Sequence, residues 1–264
     1  MVRSLWTAAT GMNGQQANID TVANNLSNVN TTGFKKQRVE FEDLIYQTVR
    51  TAGTPATEDT ITPVGVQMGH GVKVGSTLRM FDQGSLQNTG NISDIAIQGE
   101  GFFRVLQYDG SYAYTRDGSF KIDADRQLVT SNGLKVLPEI TFPEGYRQDT
   151  IAISQDGRVT VRVNDLDTPV NVGMIELYRF QNPEGLSTVG ENLYKQTPAS
   201  GASFAGRPGF DGFGKSIDKF LEMSNVSTVS EMVNMIVAQR AYEFNSKAIQ
   251  TSDNMLQTAA SLKR

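Results

Sequence analysis

A seven-residue apolar repeat at each end of the chain is the feature that most limits its fold. The N-terminal repeat consists of Leu5, Met12, Ile19 and Leu26. This spacing predicts a helix over residues 3–30 with an apolar seam along one side. The helix is about 40 Å long at ~1.5 Å per residue, and Gly11 and Gly14 make it marginal when alone. We expect its Asn, Gln, Thr and Asp side chains to face solvent, and Gly33 to end it in the left-handed conformation.

The C-terminal repeat is longer. It consists of Met235, Tyr242, Ile249 and Leu256. No Gly or Pro interrupts the chain between Thr228 and Leu262, which predicts a helix of roughly 50 Å. Thr228 followed by Glu231 fits a capping box. A helix of this length needs a partner along its whole apolar stripe, and the N-terminal helix is the candidate of similar length.

Residues 34–222 between the helices have the character of a β domain. Short β-branched or alternating runs are separated by four turn pairs, Asp109-Gly110, Asp117-Gly118, Asn132-Gly133 and Asp156-Gly157. Such pairs favour hairpins, and the spacing is typical of a sandwich or barrel-like domain. Residues 51–63 are rich in Thr, Pro and Gly without a period, which predicts a loop or a segment that orders on binding. The fold class is therefore α+β, with long terminal helices and a central all-β domain.

Composition excludes several classes of function. The chain has no Cys, one His and a formal net charge of −4. These values exclude thiolate metal sites, cysteine nucleophiles and disulfides, and they argue against a general nucleic-acid binder. No apolar run of about 18 residues predicts a membrane span. The first residues lack the apolar stretch of a cleaved secretory signal, so if the chain leaves the cytoplasm, we expect it to do so by another route.

One motif suggests nucleotide chemistry. Residues 209–216, GFDGFGKS, match the phosphate-binding pattern G-x-x-x-x-G-K-S. In that interpretation backbone amides hold phosphates, Lys215 reaches the terminal phosphate and Ser216 binds Mg²⁺. However, the preceding residues do not form the hydrophobic strand that such a loop requires. His70 lies between two glycines and reads as a turn residue. We therefore predict no catalytic, cofactor-binding or metal site, and a nucleotide hydrolase using Lys215 remains a remote alternative.

The terminal stripes themselves indicate self-assembly. Two helices that paired only with each other would each leave an apolar flank exposed. Helices that are marginal alone at both ends of a β body are expected to bury themselves against copies of the same chain. A heterologous interface of this kind propagates as a helical filament.

Several segments resemble the bacterial flagellar basal-body rod and hook axial protein family. Residues 4–12 and 23–35 are similar to its N-terminal signature, and residues 221–226 and 235–243 to its C-terminal signature. Four further segments in the middle also resemble the family: 98–103, 114–120, 182–186 and 191–194. Within the family, the chain length and the segment 65–69 are most similar to the distal-rod members.

The resemblance implies a structural, non-enzymatic subunit of a rigid tubular drive shaft that transmits motor torque to the hook. Residues 1–30 and 223–264 would form an inner coiled-coil layer around the export channel. Residues 31–70 would form an extended linker and rod-specific loop, and residues 71–222 a β-rich outer domain. The seven-residue repeats would be the assembly seam. From the loop composition of residues 51–71, we expect this segment to make intersubunit contacts that stiffen the tube.

The implied partners are further copies of the chain, proximal rod and hook subunits, surrounding ring proteins and the flagellar type III export apparatus. The implied location is the periplasmic part of the basal body. A proximal-rod or rod–hook junction subunit of the same family is the alternative.

Overall fold

The computed structural model describes residues 2–53, 55–57, 60–61, 63–163 and 168–261. These residues form two long helices and 22 strands, which confirms the α+β class. The chain divides into two compact units. The helical unit contains Met1–Ser27, Gln37–Arg79 and Ser227–Arg264, and the β unit contains Asn28–Lys36 and Met80–Val226.

The first helix, α1, spans Val2–Ser27 and ends before the predicted residue 30. A turn follows, in which the Thr31 hydroxyl donates to the Asn28 side-chain oxygen at 3.1 Å. Gly33 does adopt a left-handed φ of 68°. However, it lies in the β unit, where a Cβ on Gly33 would be 2.7 Å from the backbone nitrogen of Asp117. Its conformation therefore serves a close backbone approach and does not end the helix.

The second helix, α2, spans Thr228–Ser261, and the predicted last residue, Leu262, lies outside the described residues. Thr228 is the first helical residue rather than the cap, because the amide of Glu231 donates to the carbonyl of Ser227 at 3.0 Å. The predicted capping box is therefore wrong in its register. Ser227 occupies the cap position.

The helical unit also contains a β ribbon packed on α1. Its six strands are β1 Gln37–Asp43, β2 Tyr46–Arg50, β3 Pro55–Thr57, β4 Thr60–Ile61, β5 Val66–Gly69 and β6 Val72–Arg79. The pairs β1–β6, β2–β5 and β3–β4 are all antiparallel. Strands β1 and β6 contact α1, so one flank of α1 that the sequence left without a partner is covered. Residues 51–63, predicted as a loop, include the β3–β4 pair.

The β unit is built from antiparallel sheets. Its strands are β7 Leu86–Asn88, β8 Ile95–Gln98, β9 Phe103–Leu106, β10 Tyr112–Thr115, β11 Lys121–Ile122, β12 Leu128–Val129, β13 Lys135–Leu137, β14 Ala152–Ile153, β15 Arg158–Val161, β16 Val170–Met174, β17 Leu177–Arg179, β18 Ser187–Gly190, β19 Leu193–Lys195, β20 Phe204–Gly206, β21 Lys215–Asp218 and β22 Phe220–Glu222. A seven-stranded sheet has the order β11-β12-β13-β9-β10-β19-β18, and a three-stranded sheet has the order β14-β15-β16. Three further pairs are β17–β20, β8–β21 and β7–β22.

Three of the four predicted turns close hairpins. Asp109-Gly110 joins β9 to β10, Asn132-Gly133 joins β12 to β13, and Asp156-Gly157 joins β14 to β15. The exception is Asp117-Gly118. There the Gly118 carbonyl accepts a hydrogen bond from the Ile95 amide at 3.0 Å, and the chain passes from β10 to β11, which do not pair. Buried aliphatic and aromatic side chains, among them Ile95, Phe103 and Val105, form the core.

Candidate assembly surface

The helices α1 and α2 pack against each other in antiparallel register. Three contacts fix this register. Ser4 Oγ lies 3.3 Å from Ser252 Oγ. A Cβ on Gly11 would lie 2.8 Å from Nδ2 of Asn245. Near the other end of α1, Nδ2 of Asn25 donates to Oε2 of Glu231 at 3.4 Å. Along both helices these contacts are spaced by seven residues or by twice seven. The same spacing places Asn18 of α1 opposite Ala238 of α2.

These eight positions form a ladder of small and polar residues, called here the polar ladder. The expectation that the Asn side chains of α1 face solvent is wrong for Asn25, which is 1% exposed. Its side chain pairs with the backbone of β1, where Nδ2 donates to the Gln37 carbonyl at 2.8 Å and Oδ1 accepts from the Gln37 amide at 2.9 Å. The sequence signal was a seven-residue repeat of small and polar residues, displaced by one position from the apolar repeat on α1.

The predicted seam residues flank the polar ladder. Seven of them are half-buried, namely Leu5, Met12, Ile19, Leu26, Met235, Ile249 and Leu256. Tyr242 is 38% exposed. These positions lie along the faces through which one chain pairs its own two helices. Their role as a seam between copies of the chain stays a prediction.

A different face of α2 carries apolar residues that the described part of the chain leaves open. This exposed α2 stripe consists of Val229, Met232, Val233, Ile236, Val237, Phe244 and Met255. Each of the seven is at least 49% exposed. With about 100° of rotation per residue, Val229, Val233 and Ile236 lie opposite the polar ladder. Met232, Val237 and Phe244 lie about a quarter-turn from it, and Met255 lies nearer to it. Single exposed apolar residues are ordinary, but the five from Val229 to Val237 are contiguous at helical spacing, and such a group marks an interaction surface.

The β unit holds a buried group of charges that the sequence analysis missed. This ion cluster consists of Lys35, Arg116 and Glu222, which are 0%, 4% and 1% exposed. Lys35 Nζ lies 2.6 Å from Oε1 of Glu222, and Nη1 of Arg116 lies 3.6 Å from Oε2. Burial, followed by the positive charge of Arg116, lowers the pKa of Lys35, while Glu222 opposes the shift.

Hydrogen bonds tie the ion cluster to the surrounding backbone. Lys35 Nζ also donates to the carbonyl of Asp82 at 2.6 Å, and the amide of Gly84 donates to Oε1 of Glu222 at 2.9 Å. The Nη1 group of Arg116 donates to the carbonyl of Gly99 at 2.8 Å. Among the described residues, no donor bonds to Oε2 of Glu222. Glu222 is the carboxylate that forms ion pairs with both buried cations.

The segment that matches a phosphate-binding loop is built differently. The Gly209 amide donates to the Gly214 carbonyl at 2.9 Å, and the Gly214 amide donates to the Glu100 carbonyl at 2.7 Å. The Ser216 hydroxyl donates to the carbonyl of Ser154 at 2.7 Å. Lys215 begins strand β21, whereas a phosphate-binding loop leads into a helix. The glycines therefore form a tight connection, and the Gly209 and Gly214 amides and the Ser216 hydroxyl bond to carbonyl groups of the protein itself.

The remaining candidate sites of the sequence analysis also show no catalytic or metal-binding arrangement within the described residues. Nδ1 of His70 lies 2.9 Å from the Ile45 carbonyl oxygen, in keeping with its prediction as a turn residue. Across the residues that the structure describes, His, Cys, Asp and Glu side chains form no group of three that could hold a metal ion. The helices described here are too polar or too short to cross a membrane.

Comparisons with known proteins decide the family. Residues 5–35 match the model of the flagella basal body rod protein, residues 96–161 the flagellar hook protein FlgE/F/G D1 domain, and residues 217–262 the flagellar basal body rod FlgEFG protein C-terminal region. The chain is 61% identical to the flagellar basal-body rod protein FlgG of Borreliella burgdorferi, with both chains covered completely. It is 41% identical to FlgG of Bacillus subtilis, again over both complete chains.

The chain belongs to the FlgG family of flagellar basal-body rod proteins. It is a structural subunit of the flagellar rod and not an enzyme, like the rod proteins it resembles. Identity to a second Bacillus subtilis protein, the flagellar hook-basal body complex protein FlhP, is lower, at 33% with 97% of each chain covered. The chain is therefore more similar in sequence to these FlgG proteins than to FlhP.

The ion cluster draws one residue from each matched part of the FlgG family chain. Lys35 is the last residue of the N-terminal match, Arg116 lies in the D1 match, and Glu222 lies in the C-terminal match. In the sequence, these residues stood out only as members of the segments that resemble the flagellar family. Their shared burial could not be derived from periodicity, because the three positions lie far apart in the chain.

Proposed function

We propose that this chain is a distal-rod subunit that polymerises through its terminal helices into a rigid tube around the export channel. In this proposal α1 and α2 form the inner coiled-coil layer, and the tube transmits torque from the motor to the hook. The observation that carries the proposal is the exposed α2 stripe. It supplies each subunit with an apolar surface that its own fold leaves available for another copy.

The exposed α2 stripe is large enough to drive assembly. Fully burying one large apolar side chain contributes about 1.5–3 kcal/mol, and only a part of that survives the entropic cost of association. Seven such residues span Val229 to Met255 along the helix. Val229, Val233 and Ile236 lie opposite the polar ladder, so a neighbouring copy can bind this part of the stripe without separating the pair α1–α2. A head-to-tail contact of this kind produces a helical tube.

The test uses a charged substitution in the exposed α2 stripe. Val237→Asp is expected to leave the monomer folded, because Val237 is 62% exposed, and to abolish rod assembly and motility. The matched control is Gln239→Asp, which adds the same charge at an exposed position of the same helix. Normal assembly of the Val237→Asp protein would refute this surface.

Substitutions in the predicted seam give a second test, which perturbs half-buried positions. Leu26→Asp or Ile249→Asp places a charge in a packed seam at a cost of several kcal/mol. Both positions are half-buried beside the polar ladder, so these variants are expected to loosen the pairing of α1 with α2 as well as assembly. The β unit should stay folded. Wild-type motility in both variants would contradict the seam.

The position along the rod is tested in cells. Deleting the gene should leave a basal body with a short proximal rod and no hook in cryo-electron tomograms. Loss of the whole rod would instead indicate a proximal subunit, and a complete rod without a hook would indicate a rod–hook junction subunit. Proximal rod, hook and ring proteins are the neighbours expected for a distal subunit, which would reach the periplasm through the flagellar export apparatus.

The β2–β5 ribbon is proposed to stiffen the tube. Strands β2 and β5 are exposed along their whole length, and they carry Tyr46, Val49, Val66 and Met68. An isolated two-stranded ribbon is marginal in water, so contact with a neighbouring copy would stabilise it. Deleting residues 51–71 is expected to change rod length or straightness. Unchanged rods with unchanged subunit contacts would contradict this role.

A further inference from the structure

One edge of the seven-stranded sheet is open. Strand β18 is the last strand of that sheet, and among the described strands it pairs with β19 alone. All four of its residues, Ser187–Gly190, are exposed. In an antiparallel pair, alternate residues direct their N–H and C=O groups away from the partner strand. Strand β18 therefore presents backbone donors and acceptors along a free edge.

Strand β18 lacks most of the features that protect the edges of sheets. Proteins protect a free edge with a very short strand, charged side chains, proline or a bulge. The opposite edge of the sheet, β11, has only two residues, one of which is Lys121. Strand β18 has the sequence Ser-Thr-Val-Gly, without charge or proline. Its one protective feature is a bulge at Val189, where the pairing shifts between Thr188 and Gly190.

The ribbon of the helical unit has an exposed strand with the same irregularity. Strand β2 carries a bulge at Val49, where the pairing with β5 shifts between Thr48 and Arg50. In β2 and in β18 the extra residue is the valine of a Thr-Val pair. A bulge increases the local twist of a strand. We therefore expect each of these two edges to fit the other better than it fits a flat strand.

Strand β2 is also the outer strand of its ribbon. The β5 side lies beside α1, since Nη1 of Arg3 donates to Sδ of Met68 at 3.5 Å. The five residues of β2 are all exposed. Three of them, Tyr46, Thr48 and Val49, are of types that favour strands. Strand β2 is thus a second exposed strand with good strand propensity, and among the described strands it pairs with β5 alone.

We propose that β2 of one subunit adds to the open edge of β18 in a neighbouring copy and extends that copy's seven-stranded sheet. Addition of a strand to a sheet edge is a recurring mode of recognition, in which backbone hydrogen bonds supply the affinity. This inference rests on the proposed function, and it names the surface that the ribbon contacts. Because β2 and β18 are different surfaces, the contact is head-to-tail and can continue from copy to copy.

The test is site-directed cross-linking, which the absence of cysteine from the chain makes selective. Val49 and Val189 are the middle residues of the two bulges, and they are 57% and 53% exposed. Opposite residues on neighbouring strands have Cβ atoms about 4.5–5.5 Å apart. Rods are isolated from cells whose only copy of the chain carries Val49→Cys and Val189→Cys, and they are treated with a short bis-maleimide. Denaturing gels should show a ladder of covalent multimers, because each copy is linked to two neighbours.

Three kinds of control accompany this chain. Each single-cysteine chain should give no multimers. The pair Val49→Cys and Lys121→Cys places the second cysteine at the opposite edge of the same sheet, and it should also give none. Adding Thr188→Lys to the first pair places a charge on the open edge and should remove the ladder. Adding Thr168→Lys, at an exposed position before β16, should leave the ladder unchanged.

Several outcomes would overturn the proposal. They are normal rods without a ladder, cysteines joined within one chain, a ladder with Lys121→Cys, and dimers with Val189→Cys alone, which would show that β18 pairs with β18. If the double-cysteine chain builds no rod, Thr188→Lys alone decides. It should shorten, bend or abolish the rods, and straight rods of normal length would overturn the proposal. Failure of the wild-type chain to build a rod would instead refute the proposed function.

Discussion

Replacing Gly11 by leucine tests the antiparallel register of α1 and α2. Leucine favours a helix over glycine by about 0.8–1 kcal/mol, which would stabilise α1 alone. In the register seen here the new side chain enters the space of Asn245, since even a Cβ would lie 2.8 Å from its Nδ2. Overpacking of this kind costs about 1–3 kcal/mol. The expected net result is a loss of up to about 2 kcal/mol in the stability of the helix pair.

Urea unfolding followed by far-ultraviolet circular dichroism measures this loss. Adding Asn245→Ala to Gly11→Leu should relieve the overpacking, so the double-mutant cycle should show a coupling of about 1–3 kcal/mol. Ala23→Leu is the control, because Ala23 is exposed on the same helix and should change stability by less than about 0.5 kcal/mol. Additive effects of Gly11→Leu and Asn245→Ala would refute the register.

Three further predictions concern the β unit. Gly118→Ala should lower the stability by about 3 kcal/mol, because its Cβ would collide with the Ile95 carbonyl. Gly110→Ala should lower it by about 1 kcal/mol, because a Cβ there has open space and only the positive φ is unfavourable. Equal stability losses of the two variants in thermal unfolding would contradict this prediction. Because the pKa of Lys35 is lowered below 10.5, the unfolded chain binds more protons just below that pH, so stability should rise with pH there and Lys35→Met should remove the slope. Calorimetric titration with millimolar ATP should show no binding, and saturable binding abolished by Lys215→Ala would revive the nucleotide alternative.

The sequence predicted the elements that depend on local patterns of residues, namely the two helices and three of the hairpin turns. A repeat of seven predicted both helices, because each turn of a helix repeats the same environment. Three Asp-Gly or Asn-Gly pairs predicted hairpins, because their backbone preference is local. The Asp117-Gly118 pair had the same local signal and a different outcome. Its conformation is set by the backbone of Ile95, a contact that no local pattern reports.

What the sequence could not predict depends on contacts over long chain distances. The burial of Asn25 follows from its pairing with Gln37 and Glu231, and its polar side chain suggested solvent. The ion cluster requires Lys35 and Glu222 to meet across 187 positions. Charged residues are rarely buried, so each of these side chains alone favoured the surface. Only the folded structure shows that Glu222 contacts both cations.

The most direct test of the central claim is a cryo-electron microscopy map of the assembled rod. The account predicts that Val237 and Phe244 of each subunit are buried against a neighbouring copy, while the polar ladder stays paired between α1 and α2 of one chain. A map in which both side chains face water would contradict the claim that the exposed α2 stripe builds the tube.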